Sequence, residues 1–491
     1  MEAAAFQNGI QACEPRNGSG TMAEVDIEGG ANMNLDAEKT ESKDQAAPSR
    51  TAGEAGWHVS RYNISAHIPD TNLTAIANLF KGNCARYTPI ELYLLSVLEE
   101  LDEHHPIIER FAKRGIIANF DERAALECMG RGACGRAPMV GLTICPTIGC
   151  NFDCPYCFQD HGRGHMTKEV QDDVIALTER MLSTSSAKKL HVTWFGGEPL
   201  LVPNIIESLS ERLIALAEEH GASYQASIIT NGYLLTQDIA DMLHHYKVES
   251  AQITVDGLGP THNTTRYLRG GGPTFDRIIA NLRELHLPFK VNIRHNVHEA
   301  NRSEVDKLEA FINQLASESG NKLHYYPAPV SDSSTAEERG RQVGLLCSNE
   351  ESDVSIRQES KRFSQGRGHY CGAHTLWAIG IDDAGNLHKC WEAVDKPDLS
   401  FGTAHDWDPA DPINSASNAD NLTKFLNTAC PVPDEECREC VWLPTCVGGC
   451  PYRRLFEERK CIPFKDNPEG YVLALQERIG EDEEGQNEGD A

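Results

Sequence analysis

The chain's middle part alternates between two patterns of apolar and polar positions. Between residues 139 and 329, six apolar segments of strand length are separated by segments whose apolar residues recur at helical spacing. Each of these predicted strands except the last is followed by a predicted helix, which is typical of a parallel sheet. The pattern therefore predicts an α/β fold over residues 139–345, in which the loops after the strands gather at one rim.

The pattern of strand-like and helical segments over residues 57–138 predicts a separate small module. Two strand-like segments flank a turn at Asp70, and Thr88 followed by Pro89 marks the start of a helix. A second helical segment ends at Gly115, and a short strand follows it. Strands combined with a helix pair favour a winged-helix-like unit, and a subdomain that serves only packing is the alternative.

The remaining segments differ in composition. Residues 1–56 are rich in Gly, Ala, Ser, Asn and Glu without apolar periodicity, so we expect them to be disordered. From its composition we expect residues 346–370 to be a polar linker. We expect residues 466–491 to form a helix followed by an acidic tail. Residues 371–465 contain widely spaced cysteines and few long periodic segments, which fits a small domain organised by bound metal.

Charge and cysteine content narrow the class of protein. The 491-residue chain has a formal net charge of −28, which argues against a nucleic-acid partner because such binding needs a basic surface. It has no apolar run of transmembrane length and no secretory signal, so we expect a cytoplasmic protein without membrane contact. In a reducing compartment its 17 cysteines are better explained as metal ligands than as disulfides.

The segment CNFDCPYC holds the most distinctive cysteines. It follows the first predicted strand of the α/β region and places Cys150, Cys154 and Cys157 at the spacing C-x3-C-x2-C. Three thiolates so close together could form disulfides, bind zinc or bind an iron–sulfur cluster. Zinc and ordinary clusters usually take four protein ligands, so three ligands suggest that one position is left open.

Together with later segments, this motif resembles the radical S-adenosylmethionine (SAM) enzymes. GGEP follows the next strand, IITNG ends a later strand, and ITVDGLGPTHNTTR matches the family's S-I-D-G-x4-H-x3-R pattern, with Thr254 in place of serine. The resemblance implies a partial (β/α)6 TIM-like barrel. It also implies a 4Fe–4S cluster on three cysteines, whose open iron binds SAM and cleaves it to a 5′-deoxyadenosyl radical.

The same resemblance implies a set of SAM-binding residues: Tyr156, Gly196, Gly197, Glu198, Asn231, Thr254 and Arg294. Tyr156 would lie near the adenine, and the two glycines would let the backbone approach SAM closely. Glu198 would face the ammonium group of SAM, and Arg294 its carboxylate. Two alternatives stay open, because Asn231 could merely cap a turn and Arg266 could pair with a surface acid.

The C-terminal cysteines resemble the SPASM domain, in which two auxiliary 4Fe–4S clusters are bound. The resemblance implies that auxiliary cluster I is bound by Cys371, Cys390 and Cys450. It implies that auxiliary cluster II is bound by Cys437, Cys440, Cys446 and Cys461.

Two positions depart from the sulfatase-maturating members of that family. Trp377 stands where those enzymes have the fourth cysteine of cluster I, so the fourth ligand is Cys430 or Cys347, or the site is open. Those enzymes also have an Asp directly after the second SPASM cysteine, whereas here Trp391 and Glu392 follow it. Glu392 is the candidate catalytic base.

These resemblances lead to one expected function and to rivals. We expect a peptide maturase similar to sactipeptide and ranthipeptide synthases, which abstracts hydrogen from a ribosomally made precursor peptide and forms an intramolecular cysteine thioether. The leader of that peptide would add as a strand to the module of residues 57–138, and a flavodoxin or ferredoxin-type protein would supply electrons. The alternatives are a carbon–carbon crosslinking cyclase, an anaerobic sulfatase-maturating enzyme that makes formylglycine, and a non-catalytic scaffold.

Overall fold

The structure is a computed structural model of the chain. It describes residues 51–162, 164–329, 371–429, 434–457, 459 and 461–487. The first 50 residues, the expected linker at 346–370, Cys347 and Cys430 therefore lie outside the described residues.

The N-terminal module is folded from Thr51 onward. Thr51 forms a β-bridge with Asp102, and Ala52 is fully buried, so residues 51–56 belong to the module and not to the segment expected to be disordered. The module consists of β1 (His58–Val59), β2 (Asn63–His67), β3 (Thr74–Asn78), β4 (Asn83–Tyr87), α1 (Pro89–Ser96), α2 (Pro106–Arg114), β5 (Ile117–Ala118) and α3 (Glu122–Gly135). Strands β2, β3 and β4 form an antiparallel sheet in that order, and β1 pairs with β5.

Local signals explain the helix boundaries in this module. Thr88 and Glu91 form a reciprocal capping box at the start of α1, where the Glu91 side chain accepts from the Thr88 backbone N–H at 2.8 Å. Gly115 ends α2 in the left-handed conformation at φ 75°, which glycine adopts without a side-chain penalty. The winged-helix-like interpretation of the module stays a prediction.

The α/β region contains the six parallel strands that the periodicity predicts. They are β6 (Val140–Ile144), β7 (Lys189–Trp194), β8 (Ser223–Thr230), β9 (Val248–Thr254), β10 (Lys290–Val297) and β11 (Leu323–Pro329), and they pair in chain order. The helices between them are α4 (Lys168–Thr184), α5 (Pro203–Glu219), α6 (Gln237–His245), α7 (Gly259–Thr265), α8 (Phe275–Glu284) and α9 (Val305–Ser319). The strands and helices enclose one large apolar core, which confirms the predicted α/β fold.

The C-terminal segment extends this sheet. Strand β12 (Ala378–Ile381) pairs in parallel with β6, and β13 (Asn386–His388) and β14 (Gly402–Thr403) extend the sheet in antiparallel fashion. The sheet therefore has nine strands within the described residues. This addition covers the β6 edge, whose backbone groups would otherwise be unpaired.

The rest of the C-terminal region is made of short helices and one long helix. They are α10 (Ala419–Asn427), α11 (Glu435–Glu439), α12 (Leu443–Cys446), α13 (Pro451–Phe456) and α14 (Pro468–Asn487). Helix α14 packs on the β2–β3–β4 sheet of the N-terminal module, and Tyr471 on α14 contacts the ring of Trp442 with centroids 5.1 Å apart. Among the described residues, no helix is both long and apolar enough to cross a bilayer.

Candidate functional site

The cysteine loop, residues 145–157, leaves the end of β6 at the rim of the sheet. Cys150, Cys154 and Cys157 are half-buried in it, and none of them forms a disulfide. The backbone N–H of Asp153 donates to the Tyr267 carbonyl at 3.0 Å, which ties the loop to the segment that follows α7. Burial raises the pKa of Cys150 and of Cys154 to about 12, so their thiolate forms need a nearby positive charge.

The two glycines of GGEP are required by contact with the cysteine loop. A Cβ atom on Gly196, whose φ is 120°, would lie 2.2 Å from the Thr147 carbonyl oxygen. A Cβ atom on Gly197 would lie 2.2 Å from the Gly149 carbonyl oxygen, and the Glu198 N–H donates to that same oxygen at 2.8 Å. The two glycines thus allow a close approach of backbone to backbone in the structure, and their expected contact with SAM stays a prediction.

Glu198 joins the GGEP segment to the end of β8. Its fully buried carboxylate accepts hydrogen bonds from Thr230 Oγ1 at 2.7 Å, from the Asn231 N–H at 2.7 Å and from the Leu200 N–H at 3.0 Å. Burial raises the pKa of Glu198, and these hydrogen bonds act in the opposite direction. These three hydrogen bonds compensate for the burial of the Glu198 carboxylate at this rim of the sheet.

Asn231 connects the end of β8 to the cysteine loop. Its Nδ2 donates to Asn151 Oδ1 at 2.7 Å and lies 4.0 Å from Cys150 Sγ. Its Oδ1 also accepts from the Tyr233 N–H at 3.0 Å. Asn231 therefore caps a turn and also lies beside Cys150, an expected cluster ligand.

A buried hydrogen-bond network joins Tyr156 of the cysteine loop to residues of three other segments. The Tyr156 hydroxyl donates to Asp256 Oδ2 at 2.5 Å and accepts from Arg266 Nη1 at 2.8 Å and Asn296 Nδ2 at 3.2 Å. Arg266 is only 8% exposed, and its guanidinium lies 5.5 Å from the ring centre of Phe152. The alternative that Arg266 pairs with a surface acid is wrong.

The spacing D-G-x4-H-x3-R was the signal for this network. His262 Nδ1 accepts from the Asp256 backbone N–H at 3.1 Å, and Thr265 Oγ1 donates to Asp256 Oδ2 at 3.2 Å. Burial lowers the pKa of His262 well below its ordinary value, so its ring is neutral and can accept at Nδ1. The motif residues thus hold Tyr156 in place through its hydroxyl.

Thr254 and Arg294 are neighbours on adjacent strands of the sheet. They face each other in the β9–β10 register, and Arg294 Nε donates to Asn296 Oδ1 at 2.7 Å. Glu392 lies on the short 3-10 helix that directly follows Cys390. Burial raises the pKa of Glu392 and the charge of Glu457 raises it further, whereas the charges of Arg453, Lys396 and Arg294 lower it.

Four C-terminal cysteines surround one cavity, which we call the cluster II pocket. The cavity has about 420 Å³ of space including its open side. The residues that define the pocket are Cys437, Cys440, Cys446, Cys461, Arg459 and Lys465. No group of three or more His, Cys, Asp or Glu side chains among the described residues could bind a single metal ion. Cysteine sulfurs spaced around a cavity fit a polynuclear cluster better than one ion.

The cysteines assigned to cluster I lie within electrostatic range of one another. Burial raises the pKa of the Cys390 thiol, and the nearby charges of Cys371 and Cys450 raise it further. Buried Lys389 lies beside Cys371, Cys134 and Cys390, and burial lowers its pKa to about 7. Cys134 Sγ donates to the Leu426 carbonyl oxygen at 3.4 Å, and the fourth ligand of cluster I stays a prediction.

Comparison with known proteins shows which family the α/β region matches. Residues 144–312 match the family model described as the radical SAM superfamily. The chain contains a radical SAM domain. This confirms the resemblance drawn from the cysteine loop and the three later segments, and the family implies a SAM-binding 4Fe–4S cluster; its place at the cysteine loop stays a prediction.

Three proteins that are similar to this chain are informative. It is 24% identical over 169 residues to the sporulation killing factor maturation protein SkfB of Bacillus subtilis, covering 34% of this chain and 38% of the relative. It is 25% identical over 362 residues to a cysteine-type anaerobic sulfatase-maturating enzyme of Clostridium perfringens, covering 67% of this chain and 91% of the relative. The solved structure of native anSMEcpe with bound AdoMet and a peptide has a TM-score of 0.52 at 19% identity, covering 70% of this chain and 98% of that chain.

Coverage of the curated relatives is uneven. The match spans 55%, 38% and 30% of the lengths of the first three curated relatives. The anSMEcpe structure supports the fold alone, because its sequence is only 19% identical to this chain.

Proposed function

We propose that the protein is a radical SAM peptide maturase that forms an intramolecular crosslink in a ribosomally made precursor peptide, with a cysteine thioether as the bond. The observation that carries this proposal is the convergence of the cysteine loop, the GGEP segment and the end of β8 through Glu198 and Asn231. When bound, the cluster and SAM would together supply a 5′-deoxyadenosyl radical for hydrogen abstraction from an unactivated carbon.

The residues at the rim have distinct roles in this proposal. Cys150, Cys154 and Cys157 would bind the cluster, and Asn231 orients the loop that carries them. Gly196, Gly197, Glu198, Thr254 and Arg294 would contact SAM. Tyr156 is held in one orientation by three hydrogen bonds to its hydroxyl, which would fix its ring beside the adenine.

Glu392 is the proposed base for the substrate thiol. Because burial raises its pKa, its carboxylate is a stronger proton acceptor than an exposed glutamate. Glu392 is the second residue after Cys390, which is one of the cysteines assigned to auxiliary cluster I. The two auxiliary clusters, bound by the cysteine sets described above, would accept the electron released when the thioether forms.

The N-terminal module would bind the leader of the peptide. Within the described residues, β2 and β4 are the two edges of its sheet, and one face of that sheet is covered by α14. Helix α1 follows β4 directly and exposes Ile90 and Tyr93, with 73% and 65% of their surfaces accessible. A strand added at the β4 edge could pack its apolar side chains on this exposed surface. A flavodoxin or ferredoxin-type protein would serve as electron donor.

A second candidate function is anaerobic sulfatase maturation. It is favoured by the likeness to the sulfatase-maturating enzyme, which extends over 91% of that relative. Trp377 and Trp391 differ from the pattern of those enzymes, and the folded N-terminal module precedes the radical SAM domain here. These differences favour the peptide-crosslinking function.

Mass spectrometry of peptides treated anaerobically with the protein distinguishes the two functions. The substrates would be a small cysteine-containing peptide encoded beside this gene and a cysteine-type sulfatase peptide. Loss of two hydrogen atoms per site, resistant to thiol alkylation, would support crosslinking. Conversion of the sulfatase peptide's thiol to an aldehyde, with the other peptide unchanged, would refute the crosslinking function and support sulfatase maturation.

Two variants serve as controls for that experiment. Cys154→Ala should abolish SAM cleavage and both products. Glu392→Gln should retain SAM cleavage and lose the crosslink, because only proton removal from the substrate is affected. A Glu392→Gln variant that crosslinks at the normal rate would exclude Glu392 as the base.

A further inference from the structure

We propose that Arg459 and Lys465 raise the reduction potential of the cluster in the cluster II pocket and thereby make it an effective electron acceptor. This inference rests on the proposed function, because that function assigns an auxiliary cluster to the pocket. It concerns two cations that the cysteine pattern does not include and that reach the ligand sulfurs only in the folded chain.

The two cations contact different ligand sulfurs. Arg459 Nη1 lies 3.4 Å from Cys437 Sγ, and Lys465 Nζ lies 3.6 Å from Cys461 Sγ. Arg454 Nη1 adds a longer contact of 4.0 Å to Cys437 Sγ. All three are charged donors, and each distance is within the range of an N–H···S hydrogen bond.

Arg459 is held over Cys437 by two acids. Its Nη1 donates to Asp434 as well as to the sulfur, and its Nη2 donates to Glu436. Each Nη carries two hydrogens, so both contacts of Nη1 can form together. Asp434 Oδ1 in turn accepts from the Cys437 backbone N–H at 3.2 Å, which fixes the acid relative to the ligand. The guanidinium is therefore oriented before any electron arrives.

The direction of the effect follows from the charge change on reduction. A 4Fe–4S cluster with four thiolate ligands becomes more negative by one charge when it is reduced. Hydrogen bonds to its sulfurs and nearby cations stabilise that reduced state more than the oxidised state, so they raise the potential. The acids Asp434 and Glu436 offset part of the long-range charge, but they do not remove the directional bonds of Arg459 and Lys465 to the sulfurs.

The electron balance of the proposed reaction requires such an acceptor. After hydrogen abstraction, the substrate carbon carries one unpaired electron. Its union with a cysteine thiol forms one C–S bond, breaks the S–H bond, and releases one proton and one electron. Glu392 would take the proton, and an auxiliary cluster would take the electron. A higher potential in the cluster II pocket favours that transfer.

The test is an anaerobic redox titration of the reconstituted full-length protein, followed by electron paramagnetic resonance. The signal of cluster II is identified as the one lost in a Cys446→Ala variant. In Arg459→Gln/Lys465→Gln, we expect the ratio of reduced to oxidised cluster II at a fixed ambient potential to fall about tenfold, which is about 59 mV for a one-electron couple.

Control variants separate this effect from a change in net charge. Lys424→Gln removes a cation from an exposed position on α10 and should leave the potential unchanged. Arg459→Lys keeps the charge and a donor, so it should restore at least half of the shift. Iron and sulfide analysis of every variant shows whether the cluster is still bound. If Arg459→Gln loses iron, Lys465→Gln alone decides the question.

The outcomes distinguish this inference from the proposed function. An unchanged potential in Arg459→Gln/Lys465→Gln with full iron content would overturn the role of the two cations and leave the peptide maturase intact. Equal iron content and equal spectra in the wild type and Cys446→Ala would show that no cluster occupies the pocket. That result would remove the cofactor assignment, and the inference would fall with it.

Discussion

Arg266 shows how burial determines what a charged residue does. In the sequence it is one of many arginines, yet in the structure it is buried against Tyr156 and close to Asp256. A charge removed from water must be compensated by partners, and the loss of one partner leaves the other uncompensated. The residues of the D-G-x4-H-x3-R motif therefore support one another and the Tyr156 side chain.

Arg266→Met should destabilise the protein by about 3–5 kcal/mol, because it leaves Asp256 buried without its cation. The measurement is urea unfolding followed by circular dichroism on the anaerobic holoprotein. Arg269→Met is the matched control, since Arg269 lies nearby but is exposed, and it should change stability by less than about 0.5 kcal/mol. Equal stabilities of the two variants would refute the buried-charge argument.

Buried histidines predict a loss of stability in acid. Burial lowers the pKa of His191 and His295 to about 4 and that of His374 to about 3, below the ordinary value of 6.5. At a pH between the lowered pKa and the ordinary value of 6.5, such a histidine is protonated in the unfolded chain but not in the folded chain. The free energy of unfolding therefore falls as the pH falls below about 6.5. At about pH 5 each such histidine costs about 2 kcal/mol.

The corresponding measurement compares thermal unfolding at about pH 7 and about pH 5. His191→Gln should lose less stability on acidification than the wild type, because one of these histidines is absent. His104→Gln removes an exposed histidine and should keep the pH dependence of the wild type. Acid damage to the clusters is common to all three proteins, so the argument fails if their pH dependences coincide.

The two glycines of the GGEP segment are explained by their contacts with the cysteine loop, which the sequence of the segment does not reveal. The segment follows β7, and the cysteine loop follows β6, so parallel pairing brings the two loops to the same rim. There the backbone of Gly197 lies against the carbonyl groups of Ile148 and Gly149. The presence of two glycines could be predicted from the family resemblance, but their packing partner could not.

Gly197→Ala should displace the cysteine loop, because the new Cβ would lie 2.2 Å from the Gly149 oxygen and 2.5 Å from the Ile148 oxygen. We expect lower iron content at the radical SAM site and at least a tenfold loss of SAM cleavage. Gly132→Ala is the control, since a Cβ there meets no atom within 4 Å and alanine suits the interior of helix α3. Normal iron content in Gly197→Ala would contradict the packing explanation.

The two ends of the described chain meet in the whole molecule. Helix α14 covers the sheet of the N-terminal module, and Trp442 beside the cluster II pocket packs on Tyr471 of that helix. The proposed leader-binding module and the auxiliary cluster region thus share one apolar core. Damage to this core should affect both regions, whereas damage to the exposed surface should affect peptide binding alone.

Tyr471→Ala should lower the stability of this shared core by about 3–5 kcal/mol, because Tyr471 is fully buried. Limited proteolysis should then release the N-terminal module faster than in the wild type. Tyr93→Ala removes an exposed ring on α1, so it should keep the wild-type melting temperature while weakening binding of the leader peptide. The model of a shared core is rejected if the two variants behave alike in both assays.

Features that depend on residues close together in the chain could be predicted from the sequence. The strand and helix order of the α/β region follows from apolar periodicity, and the helix boundaries at Thr88 and Gly115 follow from capping and backbone preference. The cysteine loop is recognisable because Cys150, Cys154 and Cys157 lie within a single loop. These features need only local spacing, which the sequence states directly.

Contacts between distant residues were decided only by the tertiary structure. They include the addition of β12 to the β6 edge, the packing of α14 on the N-terminal sheet, and the hydrogen bond from Cys134 Sγ to the Leu426 carbonyl oxygen. The approach of Arg459 and Lys465 to cysteine sulfurs belongs to the same group. Each depends on which edges pair and which apolar faces are buried together, and a local pattern leaves those choices open because many pairings satisfy it equally well.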